Sequence, residues 1–123
     1  MIKAIRGATT AENTSDSITV DTKELLQEIL KANNLGIDQV ISILFTATAD
    51  LDAAYPAVAA RELGLTQAAL MCVQEMYVVG SLPKCIRVQV TAEIDVSQRS
   101  VRHVYLKEAQ VLRPDLRKSE DGD

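Results

Sequence analysis

The sequence predicts a single α/β (α+β) domain with a mixed sheet of about five strands and two main helices. The chain has 123 residues, which fits one domain. Hydrophobic residues make up 47% of it and aromatic residues only 3%, so the core must be aliphatic. Several short apolar runs with strand character are separated by two stretches with helical periodicity, and this pattern indicates sheet and helix in one domain.

The first strand is predicted over residues 2–10, and a polar turn follows it. A helix then begins at about Ser17, because apolar side chains recur at helical spacing along one face. The residues of that face are Leu25, Leu26, Ile29 and Leu30. Asn33, Asn34 and Gly36 provide the stop signal.

Residues 40–48 form a nearly continuous apolar run, which predicts a strand buried on both faces. Pro56 then opens a short, alanine-rich helix that Gly64 closes, in the expected order of proline at the start and glycine past the end. Residues 67–73 predict a further strand.

The segment 85–94 alternates cleanly between apolar and polar residues, as expected for a strand with one buried face. A turn at residues 80–83 precedes it, and a last short strand is predicted at 103–106. We expect one domain over residues 1–116 and a charged, flexible tail over 117–123. Two helices leave apolar sheet surface and strand edges uncovered, and oligomerisation is one way to cover both.

Composition also limits the class of protein. The formal net charge of −4 argues mildly against binding to nucleic acid or a membrane surface. No apolar run reaches the ~20 residues that span a bilayer, and the amino-terminal residues do not resemble a signal peptide. With two cysteines, Cys72 and Cys85, a disulfide scaffold is not expected, so we predict a cytoplasmic protein with reduced thiols.

Motifs of common enzyme chemistry are missing from the sequence. There is no glycine-rich phosphate loop and no G-x-S-x-G, and His103 is the lone histidine, which makes a Ser-His-Asp triad or a histidine-rich metal site improbable. We therefore expect no cofactor and no metal. The protein either binds a ligand without turnover or catalyses a reaction that needs no proton shuttle.

Several polar residues interrupt apolar segments, and each has an ordinary structural explanation when taken alone. Arg6 and Arg87 suit solvent-facing strand positions, Cys72 suits a small buried side chain, and Glu75 and Arg113 suit the surface. Tyr105 suits core packing with a satisfied hydroxyl. Together, arginines with one Glu, one Cys and one Tyr suit recognition of a small molecule rich in carboxylates, which arginine binds bidentately.

Six segments resemble those of one enzyme family, in order and at matching separations. They are IRGATT (5–10), ATADLDAAYPAVAAREL (47–63), CVQEM (72–76), KCIRV (84–88), RHVYL (102–106) and VLRPDL (111–116). This pattern is similar to that of the monofunctional, trimeric (AroH-class) chorismate mutases, and the similarity spans roughly residues 2–116.

The resemblance implies a homotrimer of pseudo-α/β-barrel subunits with an active site at each subunit interface. It also implies the cofactor-free isomerisation of chorismate to prephenate in Phe and Tyr biosynthesis. Arg87 matches the arginine that contacts the ether oxygen of the breaking bond. Glu75 and the Cys72 region match groups that contact the ring and its hydroxyl, and Arg6 and Tyr105 match contacts to carboxylate.

Other positions match the rest of the family's pocket. Tyr55, Ala57 and Arg61 correspond to residues that line it from the neighbouring subunit. Leu112 and Arg113 correspond to a C-terminal segment that closes over the site. The chain departs from the common family pattern at three positions, where Phe, Lys and Thr are frequent: Tyr55, Val58 and Met71, the last a substrate-binding position. A missing lysine at the rim is expected to weaken affinity before activity.

Two alternatives remain open at the level of sequence. One is a non-catalytic trimeric module that binds or senses a small molecule, which would need the arginines but not Glu75 and Cys72 beside them. The other is a trimeric enamine/imine deaminase of similar architecture, which predicts no turnover of chorismate.

Overall fold

The computed structural model describes residues 1–112, and they form one mixed five-stranded sheet with two α-helices. The strands are β1 (Ile2–Thr10), β2 (Val40–Ala47), β3 (Ala69–Gln74), β4 (Cys85–Glu93) and β5 (Val104–Tyr105). Their order in the sheet is β3-β2-β4-β1-β5. β4 runs antiparallel to both β1 and β2, whereas β3 and β5 run parallel to their neighbours. The predicted mixed sheet and its strand number are confirmed.

The two helices follow the predicted pattern with small shifts at their ends. α1 (Ser15–Ala32) begins two residues before the predicted start, because the Thr14 side chain accepts a hydrogen bond from the Ser17 N–H and caps the first turn. α2 is short (Ala57–Glu62). Three 3-10 turns were not predicted, since such turns carry little periodicity: Ile37–Gln39, Gln98–Ser100 and Lys107–Val111.

One face of the sheet carries the core. The apolar side of α1 packs over β1 and β5 and against α2, and its predicted residues Leu25, Leu26 and Ile29 are buried. The contact between α1 and β1 is close at Gly7, where a Cβ atom would lie 2.7 Å from Ile29 Cδ1. Glycine therefore lets the helix approach the strand, and it fixes the height of α1 above the sheet.

The opposite face of the sheet is open in the single chain except at one end, where the 3-10 turn Lys107–Val111 covers Ala8 and Cys85. β4 alternates as predicted, so Val88 and Val90 are buried while Arg87 and Gln89 are exposed. The prediction that β2 is buried on both faces is wrong for one chain. Ile41 and Leu44 are 45% and 40% exposed, because α1 and α2 cover only the other face. An apolar run in the sequence does not distinguish burial within a chain from burial between chains.

Within residues 1–112, no helix is long and apolar enough to cross a membrane. Both cysteines are free thiols.

Candidate active site

Arg87 lies in the middle of the open face. Its strand β4 is central, and the register places Ala8 of β1 on one side of it and Thr46 of β2 on the other. Both neighbours are small, so the guanidinium has room to extend over the sheet. The Arg87 side chain is 52% exposed.

Glu75 reaches Arg87 from the end of β3. Its N–H donates to the Ala47 carbonyl at 2.9 Å, which extends the β2–β3 pairing by one residue. Its Oε1 lies 3.6 Å from Arg87 Nε and accepts a hydrogen bond from the Thr46 hydroxyl. The Glu75 side chain is only 23% exposed, so the carboxylate is held in place and helps to orient the guanidinium.

Arg6 and Tyr105 approach the same place from β1 and β5. Arg6 pairs with Gln89, the next residue on the open face of β4, and Tyr105 pairs with Ala8. A cavity of about 130 Å³ is lined by Arg6, Arg87 and Tyr105. Two guanidinium groups and a phenol at one cavity have the chemistry to bind an anion with more than one carboxylate.

Leu112 lies on the same side as Tyr105. Both pack against a small buried cluster made by Ala8, Cys85 and Ala109. Leu112 itself does not line the cavity, but Tyr105, which packs against the same cluster, does. Arg113, its predicted partner, lies outside the described residues.

Other predicted site residues lie elsewhere on the chain. Tyr55 and Cys72 line a separate groove of about 500 Å³ at the end of β2 and β3. Cys72 pairs with Phe45, a core residue, so its side chain points to the helix-covered face and not to the face that carries Arg87. The Cys72 backbone is at the edge of the sheet, since β3 is an edge strand.

The remaining three predicted residues also stand apart from the cavity. Ala57 is buried in the core, whereas Arg61 is exposed on the last turn of α2. Met71 pairs with Leu44 on the open face and is 64% exposed. One chain thus carries two sets of predicted residues, one around Arg87 and one around Tyr55, and it does not bring them into one pocket.

Cys85 is a buried thiol next to the cavity, and the sequence analysis did not name it as a site residue. Burial raises the pKa of Cys85 to about 11, against the opposing effect of the Arg87 guanidinium. The thiol is therefore protonated at neutral pH, and it is a poor nucleophile. Its place in the cluster with Ala8 and Tyr105 makes it a packing residue.

Sequence reasoning missed the polar partners of the site. Thr46 lies in the apolar strand predicted over residues 40–48, and Gln89 on the polar face of the strand predicted over 85–94, yet both line the cavity with Arg87. The alternation of β4 carried a signal for Gln89, since it shares a face with Arg87. Nothing local marked Thr46, because its contact with Glu75 joins positions 29 residues apart.

Lys107 ties the segment after β5 to α1. Its Nζ lies 2.7 Å from both Asp21 Oδ1 and Glu24 Oε1. Burial alone would lower the pKa of Lys107, but the hydrogen bonds to Asp21 and Glu24 outweigh burial and raise the pKa above its ordinary value of 10.5. The stabilisation is fully present below pH 10.5 and is lost only as the pH rises through the folded-state pKa.

We expect Lys107→Met to lower the melting temperature by about 2–4 °C, since partly exposed ion pairs contribute at most about 1 kcal/mol. Thermal unfolding at pH 7 and at pH 9 should give the same decrease, because Lys107 stays charged over that range. Lys84→Met is the matched control. Lys84 also has a positive φ, 50° where Lys107 has 52°, but within residues 1–112 it forms one ion pair, to the highly exposed Glu12. An equal decrease in both variants would contradict a special role for Lys107.

Comparison with known proteins gives a consistent result over nearly the whole chain. The family model described as "Chorismate mutase type I" matches residues 2–116. "Chorismate mutase AroH" of Bacillus subtilis (strain 168) is 49% identical over 118 residues, which cover 94% of this chain and 93% of that protein. "Chorismate mutase AroH" of Thermus thermophilus is 45% identical and covers 94% of this chain and 97% of its own length.

A solved structure agrees with the sequence matches. "Chorismate mutase from Clostridium thermocellum Cth-682" superposes with a TM-score of 0.86 and 52% sequence identity. The match covers 88% of this chain and 97% of that one. The two proteins are therefore similar both in fold and in amino-acid sequence.

Proposed function

The chain belongs to the type I chorismate mutase family, and from that premise we propose how its residues carry the reaction. It is an isomerase that converts chorismate to prephenate, a step in aromatic amino acid biosynthesis. The similarity to named chorismate mutases supports this activity and gives no support to a non-catalytic binding module.

The reaction explains why the site has few groups for proton transfer. Chorismate rearranges by a concerted [3,3] shift, in which one C–O bond breaks and one C–C bond forms within the same molecule. The enzyme can hold the flexible side chain over the ring in the reactive geometry. It can also stabilise the negative charge that develops on the ether oxygen as the C–O bond breaks.

Arg87 is the residue that we assign to the ether oxygen. The observation that carries this assignment is the Arg87–Glu75 pair, with 3.6 Å between Nε and Oε1, beside a cavity that Arg6 and Tyr105 also line. A guanidinium that is already oriented by a carboxylate needs little reorganisation when charge develops next to it. Glu75 would contact the ring side of the substrate.

Arg6 and Tyr105 would bind substrate carboxylate from the other side of the same cavity. Leu112 and Arg113 would close over the bound substrate from the C-terminal segment. Support for this arrangement comes from Leu112, which packs in the cluster that contains Tyr105.

A homotrimer would complete the site. The set around Arg87 and the set of Tyr55, Ala57 and Arg61 do not meet within one chain, so we propose that neighbouring subunits contribute one set each. Ala57 would support the other two residues of its set by packing α2 on the core. An exposed apolar segment supports a further contact between chains: Met76, Tyr77, Val78 and Val79. Covering Arg87 would also exclude water and strengthen its effect on the substrate.

We place the enzyme in the cytoplasm, which keeps free thiols such as Cys72 and Cys85 reduced.

Two measurements test the proposal. Purified protein is mixed with chorismate, the fall in its ultraviolet absorbance is followed, and prephenate is identified by acid conversion to phenylpyruvate. Turnover without added metal or cofactor is expected. Light scattering at micromolar protein should give the mass of three chains, and a monomer with full activity would overturn the shared site.

A further inference from the structure

The outer edge of β1 is completed by side chains rather than by a full strand. β4 pairs with β1 over nine residues, whereas β5 covers only Gly7 and Ala8 on the other side. The remaining backbone groups of an edge strand need other partners. The Gln98 amide accepts from the Ala4 N–H at 3.1 Å and donates to the Ala4 carbonyl at 2.7 Å. His103 Nδ1 accepts from the Arg6 N–H at 2.9 Å.

We propose that His103 is a positioning residue that holds Arg6 in place for the substrate carboxylate. The proposal rests on the function proposed above, in which Arg6 binds that carboxylate. A backbone N–H can only donate, so Nδ1 must be unprotonated and the imidazole neutral, with its proton on Nε2. The hydrogen bond thereby selects one tautomer and one ring orientation, and it fixes the β1 backbone at the residue that carries the guanidinium.

His103 also links the two residues that would contact carboxylate. It directly precedes β5, and Tyr105 is two residues further along the chain. Through its hydrogen bond to Arg6, His103 therefore helps to hold the start of β5 beside the residue that carries the guanidinium, and both Arg6 and Tyr105 line the cavity.

The packing around Gly7 leaves little freedom for a different arrangement. A Cβ atom on Gly7 would lie 3.1 Å from the Val104 carbonyl oxygen, so β1 and β5 are already in close contact there. The Leu106 N–H also donates to the Ala8 carbonyl at 2.9 Å. His103 is the corresponding anchor at the other end of this short pairing, next to the arginine.

Substitution at His103 tests the proposal through KM and kcat separately. His103→Leu removes the acceptor and should raise KM for chorismate about five- to tenfold, the equivalent of one hydrogen bond, while kcat falls less than twofold. Loss of a contact made equally to substrate and transition state raises KM alone. His103→Asn places an oxygen near the position of Nδ1 and should bring KM back to within twofold of the wild type.

Gln98→Leu is the matched control on the same edge. It removes both side-chain bonds to Ala4, two residues from Arg6, and should leave KM unchanged. If it raises KM as much as His103→Leu, the effect is general loosening of the edge and the proposal is wrong. If His103→Leu does not fold, His103→Gln is used in its place. The amide oxygen of Gln lies further from the backbone than Nδ1 does, so it does not reach the Arg6 N–H in the same way and KM should rise as well. An unchanged KM in the folded variant overturns the proposal.

Arg6→Ala separates this inference from the proposed function. If Arg6→Ala leaves KM unchanged, the assignment of Arg6 to the substrate fails, and the inference fails with it. If Arg6→Ala raises KM but His103→Leu does not, only the inference fails. When both single changes raise KM, the double variant should show no more than the effect of Arg6→Ala, because His103 acts through Arg6.

Discussion

Arg87→Ala is expected to lower kcat for the conversion of chorismate to prephenate by at least about 10²–10³-fold. That is the usual effect of removing one preorganised donor to a developing oxyanion, and a full positive charge should contribute at the upper end. KM should change less, because the charge on the ether oxygen appears only as the C–O bond breaks. The measurement is steady-state kinetics on folded protein with the wild-type oligomeric state.

Two further variants control for this result. Arg87→Lys keeps the charge but loses the planar group that Glu75 contacts through Nε, so kcat should fall between those of the wild type and of Arg87→Ala. Gln89→Ala changes the next side chain on the same face of β4, which lines the same cavity, and should lower kcat less than tenfold. A folded Arg87→Ala protein with nearly full kcat would remove Arg87 from its assigned role.

The accessible orientation of Arg87 was predictable from sequence, because it depends on local alternation. In β4, apolar residues at every second position require the intervening side chains to share the other face. The structure confirms this for Arg87 and Gln89. The same local reasoning predicted α1, whose buried residues recur at helical spacing.

The partners of Arg87 were not predictable from pattern, because they come from strands far away in sequence. Thr46 reaches it through the pairing of β2 with β4, and Glu75 reaches it through the further pairing of β2 with β3. Strand order and register decide these contacts, and neither follows from the composition of a single segment. The family resemblance named Glu75, but it did not give the hydrogen bond from Thr46.

His103 illustrates a different limit. In the sequence it counted only as the lone histidine, which argued against a triad or a metal site. Its hydrogen bond to the Arg6 N–H depends on β5 being too short to cover the edge of β1 beyond Gly7. A strand over the predicted residues 103–106 would have bonded the edge of β1 through its backbone. The observed β5 (Val104–Tyr105) is shorter, so the Arg6 N–H is bonded by the His103 side chain instead.

Glu75→Ala is the second large effect that we expect, a decrease in kcat/KM of about 10- to 100-fold. Glu75 accepts from Thr46, lies 3.6 Å from Arg87 and is assigned to the ring side of the substrate, so its loss affects both orientation and binding. A hydrogen bond that involves a charged group contributes about 1.5–3 kcal/mol, and each 1.36 kcal/mol changes a rate tenfold.

Thr46→Val and Glu75→Gln divide this effect into its parts. Thr46→Val keeps the carboxylate but removes the donor that holds it, so kcat/KM should fall several-fold and less than in Glu75→Ala. Glu75→Gln keeps the shape and removes the charge that faces Arg87. If it retains wild-type kcat/KM, hydrogen bonding and shape account for the role of Glu75. If it matches Glu75→Ala, the negative charge accounts for it.

The combination of Glu75→Ala with Arg87→Ala tests whether the two residues act as a unit. If Glu75 works mainly by orienting the guanidinium, the double variant should be little worse than Arg87→Ala alone, because nothing remains to be oriented. Additive losses would instead mean that Glu75 contacts the substrate independently. A Glu75→Ala protein with unchanged kcat/KM would exclude Glu75 from the site. The ion pair between Glu75 and Arg87 would then have no part in catalysis and would be present only when no substrate is bound.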